Sequence, residues 1–243
     1  MITLARSCPR GFLPHLAAGR ARRRSRPGIA ALAAVLASLA TWPSPAAAQM
    51  PGLPVLQNAF AYPAIAVAAN VGYSKDVLTL AGAATWVPSS ARYIVSGGAG
   101  LVSPEEGDEN GFAAGARVAA PLRTFLDDAL GVAAFAGAGG AWFEAFDAVN
   151  AAAGLGIGWR RAFGVGRGVS LHTAPHVRWV RNSLGDGSSS SAWLFRISAG
   201  VDLTITPSIG ATIGVEAGST SDESAPLMAR TIAGAGLSYI FFR

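Results

Sequence analysis

Two histidines lie four residues apart in a segment whose side chains alternate. His172 and His176 are of the residue type best suited to metal binding or to acid–base chemistry. In a β-strand, positions i and i+4 are about 13 Å apart at a rise of ~3.3 Å per residue, which is too far to share one metal ion. We therefore expect both histidines to line a polar interior, and we predict no metal site and no cofactor.

A set of charged residues shares the parity of these histidines within its own segments. If the segments form one closed sheet, this parity faces the interior, where each charge must be paired or hydrated. A network that links the strands is the favoured interpretation, and a constriction that selects anions is the alternative. The set comprises Arg117, Arg178, Arg196, Asp202, Glu216 and Arg230.

A more specific arrangement follows from the centres of the connecting loops. A turn near Pro207 places Glu216 nearly opposite Ser198, one diagonal step from Arg196. A loop centred near Asp222 places Glu216 opposite about residues 228–230. One carboxylate between two guanidiniums suits the bidentate geometry of arginine. We therefore predict an Arg196–Glu216–Arg230 cluster across three neighbouring strands.

The segments that carry these residues have the period-two alternation of β-strands. Ten such segments follow Phe60, each long enough for the ~9–11 residues of a tilted membrane-spanning strand. Polar connections alternate with tight ones, as in barrels with long outer loops and short periplasmic turns. The predicted strands are approximately 60–73, 77–87, 91–102, 112–122, 129–143, 148–160, 168–180, 192–205, 208–218 and 227–242.

Composition agrees with strands that face lipid. Hydrophobic residues make up 51% of the chain and charged residues only 14%, yet no apolar run beyond the N-terminal region approaches the ~18–20 residues of a membrane helix. The formal charge of +5 is misleading, because 12 basic and 14 acidic residues follow Gln49, a net of −2. A nucleic-acid partner is therefore not expected.

Aromatic residues fall on the apolar parity at the strand ends, where a membrane barrel carries its two interfacial girdles. A soluble β-sandwich would instead place its tryptophans in the core. The outer girdle is predicted to contain Tyr73, Phe112, Trp142, Trp179 and Trp193, and the periplasmic girdle Trp86, Tyr93, Trp159, Tyr239 and Phe241.

The last segment, 227–243, carries a family resemblance. Gly236, Tyr239 and Phe241 have the spacing of the C-terminal signal of bacterial outer-membrane β-barrels. The chain as a whole resembles small barrels of the outer-membrane protein A transmembrane type. The resemblance implies assembly by the barrel-assembly machinery, residence in the outer membrane of a diderm bacterium, and contact with outer-membrane lipid and lipopolysaccharide. The predicted fold is an all-β, closed, antiparallel up-and-down barrel of ten strands, with eight as the alternative.

Some barrels of this family are enzymes, but the residues here do not match them. The His-x-Ser of the lipid A deacylases is missing, because Thr173 and Ala174 follow His172. The Gly154-x-Gly156-x-Gly158 string lacks the helix that a nucleotide-binding loop requires. Because no base and nucleophile can be brought together, we predict that the protein is not an enzyme.

The N-terminal region indicates export. An arginine-rich start, the apolar run 28–42 and the small residues 46–48 predict a cleaved signal peptide over residues 1–48. A periplasmic lead-in is predicted over 49–58, and the barrel domain over 59–243. The leading functional hypothesis is a structural or surface-interaction barrel with a plugged or narrow lumen, whose extracellular partner the sequence does not identify. A small-solute channel with a weak anion preference is the alternative, and a lipid-modifying enzyme is less favoured.

Overall fold

The computed structural model describes residues 63–74, 77–104, 110–220 and 231–241. Consecutive strands pair antiparallel, and the first pairs with the last, so the sheet closes into an up-and-down barrel. The prediction of ten strands is confirmed, and the alternative of eight is not. The strands are β1 (Ala64–Ser74), β2 (Val77–Val87), β3 (Ile94–Pro104), β4 (Gly111–Phe125), β5 (Leu130–Trp142), β6 (Phe146–Gly164), β7 (Arg167–Leu184), β8 (Ser189–Thr204), β9 (Ile209–Thr220) and β10 (Ile232–Phe241).

The alternation seen in the sequence gives the barrel two different faces. Along β10, Ala233, Leu237 and Phe241 point outward and are exposed, whereas Ile232 is buried inside. Leu237 is 63% exposed, although an apolar side chain of this size is normally buried in water-soluble folds. Exposed large apolar side chains likewise occur on each of the other nine strands, so the outer wall is largely apolar. Within the described ranges, no helix is long and apolar enough to cross a membrane.

Nine of the ten aromatic residues of the predicted girdles lie at outward positions of their strands, and Tyr93 is exposed directly before β3. Phe112 and Trp142 are register partners on β4 and β5, and their rings stack with centroids 6.1 Å apart. At the opposite end of the barrel, the Tyr239 and Phe241 rings meet edge-on at 4.8 Å. The aromatic rings thus flank the apolar band at both of its ends.

One predicted loop is wrong. The serine-rich stretch 182–191 separates the predicted strands 168–180 and 192–205 as a polar connection, but β7 and β8 continue into it from both sides as a paired hairpin. Its turn is short because Gly187 adopts a φ of 84° and Asp186 Oδ1 accepts the Ser188 N–H at 2.8 Å. Hydrogen bonds from the side chain and backbone of Ser188 lower the pKa of Asp186.

The lumen is lined unequally. Inward positions of β5 and β6 are mostly glycine or alanine, whereas the large polar side chains stand on β7, β8 and β9. From the opposite wall, Phe135 on β5 and Arg117 on β4 also point inward and are buried. Small residues on one wall therefore leave room for long side chains from the other.

Candidate functional site

Four inward side chains from three strands form a buried group, which we call the lumen charge cluster: His176 and Arg178 on β7, Arg196 on β8 and Glu216 on β9. Glu216 Oε1 lies 2.9 Å from Arg178 Nη2 and accepts a hydrogen bond from Arg196 Nε at 3.1 Å. His176 Nε2 lies 3.8 Å from Glu216 Oε2 and 3.4 Å from Arg178 Nη2. One carboxylate thus joins two guanidiniums and an imidazole.

Strand register brings these side chains together. His176 pairs with Arg196, and Ser198 pairs with Glu216, so alternation places all four on the inner face. Arg196 stands across from Gly218, where an added Cβ would lie 2.9 Å from Arg196 Cδ. The missing side chain at Gly218 gives the stem of Arg196 room beside β9.

The predicted cluster differs from the observed one in its second arginine. Arg196 lies against Glu216, but Arg178 supplies the other guanidinium, and Arg230 lies outside the described residues. The predicted register of β9 and β10 is wrong, since Glu216 pairs with Ile232 rather than with residues 228–230. The β9–β10 pairing is centred on residue 224, two residues after the predicted centre at Asp222. A loop need not be symmetric about its polar residues.

Sequence reasoning assigned Arg178 to the lumen but not to this carboxylate. Arg178 and Glu216 stand on β7 and β9, which do not pair, and β8 lies between them. The guanidinium reaches past the intervening strand, which is possible for a side chain of this length. Pairing rules between adjacent strands contain no signal for such a contact.

An apolar group covers the lumen charge cluster toward the end of the barrel that carries the β5–β6 and β7–β8 connections. Ala148, Val180 and Leu194 are at most 1% exposed and pack together, with Phe146 against them. Val180 is the next inward residue after Arg178, and Leu194 is the inward residue before Arg196. We call this group the apolar roof. By strand position it lies next to Arg178 and Arg196, between them and the β7–β8 turn.

A second polar group lies toward the opposite end of the barrel, which carries the β6–β7 and β8–β9 turns and which we call the short-turn end. Thr212 Oγ1 donates a hydrogen bond to Asp202 Oδ1, and His172 Nδ1 lies 3.4 Å from Asp202 Oδ2. A carboxylate that orients an imidazole is one component of acid–base sites. Yet His172 Nε2 has no hydrogen-bond partner among the described residues, so this part of the chain supplies no nucleophile to it. Nor do the described residues contain a group of three side chains able to hold a metal ion.

The lumen between these polar groups and the short turns contains a cavity of about 650 Å³, which we call the turn-end cavity. It reaches Gly166 in the β6–β7 turn and Pro207 in the β8–β9 turn, so it extends to that end of the barrel. Arg117 and Asp202 are in its wall, together with the hydroxyl residues Thr85 and Ser96. Two predicted lumen charges therefore line a space apart from the lumen charge cluster.

Residues of the predicted assembly signal are split between the two faces of β10. Gly236 faces the lumen opposite Asn70 on β1, whereas Tyr239 and Phe241 face outward. An added Cβ at Gly236 would collide with the Asn70 amide oxygen, so this glycine admits the Asn70 side chain at the closing seam. The role of these residues as a signal stays a prediction.

No protein-family model and no curated protein matches the sequence. Among solved structures, the chain is similar to the N-terminal β-barrel domain of Pseudomonas aeruginosa OprF, with 9% identity, 75% of this chain and 100% of that chain covered, and a TM-score of 0.36. It is similar to the β domain of the Bordetella autotransporter BrkA, with 12% identity, coverage of 74% and 98%, and a TM-score of 0.48. It is also similar to Neisserial surface protein A, with 15% identity, coverage of 73% and 97%, and a TM-score of 0.37. These neighbours are bacterial outer-membrane β-barrels.

Proposed function

We propose that this protein is an integral outer-membrane β-barrel with a structural or surface-interaction role, whose lumen is closed toward the outer surface. The exposed apolar wall and its two aromatic girdles support the membrane location, because such a wall is stable only against lipid. Outer-membrane lipid and lipopolysaccharide are then its immediate surroundings. Export through a cleaved signal peptide and insertion by the barrel-assembly machinery complete the proposal.

The observation that carries the closed lumen is the burial of Arg196 and Glu216, which are 0% and 1% exposed although they point into the barrel. Side chains that line a water-filled pore remain accessible to water. Here the charges are paired to each other, and the apolar roof of Val180, Leu194 and Ala148 lies over them. This arrangement supports strand-linking as the role of the cluster.

A small-solute channel with a weak anion preference is the second candidate. Its support is the turn-end cavity with Arg117 in its wall, since a cationic lining favours anions. In a channel, the turn-end cavity would continue past Arg196 and Glu216 to the other end of the lumen. In a closed barrel, it ends before them.

Recordings from the purified protein in planar bilayers test the proposal. We expect no conductance steps above those of protein-free bilayers, with insertion verified by flotation of the same preparation in proteoliposomes. The triple variant Arg178→Ala, Val180→Ala, Leu194→Ala removes the roof and one guanidinium, and should conduct. The outward variant Val177→Ala on the same strand should remain silent. Anion-selective steps from the unmodified protein would establish the channel instead.

A further inference from the structure

Arg117 is a buried cation whose guanidinium has no carboxylate contact within the part of the chain that the structure describes. The residue is 8% exposed, and its Nε and Nη1 atoms have no hydrogen-bond partner among the described residues. Leaving such donors unsatisfied costs more than leaving a neutral group unsatisfied, because the charge is also removed from water. Arg117 is therefore a group that a bound anion would stabilise.

The surroundings of Arg117 offer further donors. Ser96 on β3 is the register partner of Arg117. The Ser96 hydroxyl lies 3.1 Å from the hydroxyl of Thr85 on β2. Asn70 also lines the turn-end cavity, and its Nδ2 atom has no hydrogen-bond partner within the described ranges. Guanidinium, hydroxyl and amide donors thus line one side of the same space.

The charge balance of the turn-end cavity is positive. Its wall includes Arg117, Arg160, Arg161 and Arg167, against the single acid Asp202. Asp202 accepts a hydrogen bond from Thr212, and its other carboxylate oxygen lies 3.4 Å from His172 Nδ1. Arg160 Nε donates to the Asp128 carbonyl at 2.8 Å, which fixes that side chain near the end of the barrel. Cations that line a confined space with low-dielectric walls concentrate anions.

We propose that the turn-end cavity is a binding site for a small oxyanion of the phosphate or carboxylate class, with Arg117 as its deepest ligand. The planar guanidinium presents paired N–H groups that match two oxygens of such an anion. Access is from the short-turn end, past Gly166 and Pro207. A free phosphate and a phospholipid headgroup share this chemistry. The site does not depend on whether the barrel conducts.

Calorimetric titration of the purified full chain, refolded in a nonionic detergent, with inorganic phosphate tests the site. Ionic strength is held constant with sodium chloride. We expect saturable binding, and Arg117→Gln should raise Kd by about tenfold or more, the loss expected for a charged hydrogen bond. The control is Arg123→Gln, on the same strand but exposed and stacked over Phe125 at 5.1 Å, which should leave Kd unchanged. Equal affinity of Arg117→Gln and the unmodified protein, or an equal loss in both variants, would overturn the proposal.

A measurement on the unmodified protein guards against a variant that does not fold. Because a ligand of the folded state raises stability, phosphate should raise Tm relative to chloride at matched ionic strength. No shift in the unmodified protein contradicts the site. Short-chain phosphatidylglycerol that competes with phosphate identifies a lipid headgroup as the source, and lack of competition identifies free phosphate. Loss of binding in these assays leaves the closed-barrel function standing, because neither assay measures conductance.

Discussion

Gly154 on β6 lies directly across from His176 on β7, and the volume that a Cβ atom would occupy at Gly154 is filled by the Cβ of His176 and the carbonyl oxygen of Pro175. On the far side of Gly154, its register partner Phe135 meets the His176 ring edge-on, with centroids 5.8 Å apart. A glycine between two aromatic rings lets them meet across a strand, a recognised way of covering strand glycines. The lumen charge cluster is thus supported on its β5 side through this glycine.

Gly154→Ala should therefore destabilise the barrel. The new methyl group must displace backbone atoms, and overpacking of this kind costs ~1–3 kcal/mol. Heating the refolded variant in detergent and following the folded fraction on unboiled gels measures the change. Gly82→Ala is the matched control, because no atom lies within 4 Å of a Cβ at that position. Equal stability of the two variants would show that the space at Gly154 is not restricted.

Glu216→Ala should be among the most damaging substitutions in the lumen. It leaves Arg178 and Arg196 facing each other, and breaking a buried ion pair costs ~3–5 kcal/mol. Thermal unfolding of Glu216→Ala, Arg196→Ala and the double variant gives the coupling. The double variant should lose much less than the sum of the single losses, and simple additivity would contradict the contact. The exposed Glu144→Ala is the control, with an expected effect within ~0.5 kcal/mol.

A charge on the outer wall should lower the yield of folded protein in lipid. Ala235 faces outward, and Ala235→Arg should cost ~2–4 kcal/mol near the middle of the bilayer. Ser238→Arg, three residues later, faces the turn-end cavity and should be tolerated better. Folding yields into phospholipid vesicles, compared by gel mobility before and after boiling, measure both. Similar yields would mean that the outer wall of β10 is not in contact with lipid.

The stacked pair Phe112 and Trp142 should stabilise the outer girdle by ~0.5–1.5 kcal/mol beyond the apolar area it covers. A double-mutant cycle with alanine at both positions isolates this interaction energy. Phe112 and Phe125, at opposite ends of β4, form the control pair and should be additive. A coupling of zero between Phe112 and Trp142 would mean that the rings do not stack in the folded protein.

The faces of the strands, and the pairing of strands joined by a short turn, could be predicted from the sequence. The alternation along 231–241 determines the two faces of β10, and the tight turn at Pro207 determines the pairing of Ser198 with Glu216. The connection between β9 and β10 is long, and there the predicted partner of Glu216 was wrong by at least two positions. Period-two alternation preserves the face even when the register is displaced by an even number of residues.

Other features depend on contacts that composition does not encode. The serines at 188–191 have the composition of a loop, but the strand pairing of β7 and β8 continues through most of them. The contact of Arg178 with Glu216 depends on side-chain reach across β8, and the partial isolation of Arg117 depends on where the cavity lies. These properties belong to the closed barrel as a whole rather than to any one segment.

The unequal lining of the lumen has a consequence for the order in which the barrel can form. The ion pairs of Glu216 join β7, β8 and β9, which are consecutive in the chain, so a three-strand meander is sufficient to make them. At the closing seam between β1 and β10, the inward register partners that the structure describes carry no charge, and the Asn70 side chain lies over Gly236. Since local contacts form with a smaller loss of chain entropy than distant ones, the charges can neutralise one another early. The pairing of the first strand with the last then adds no charged residue to the lumen charge cluster.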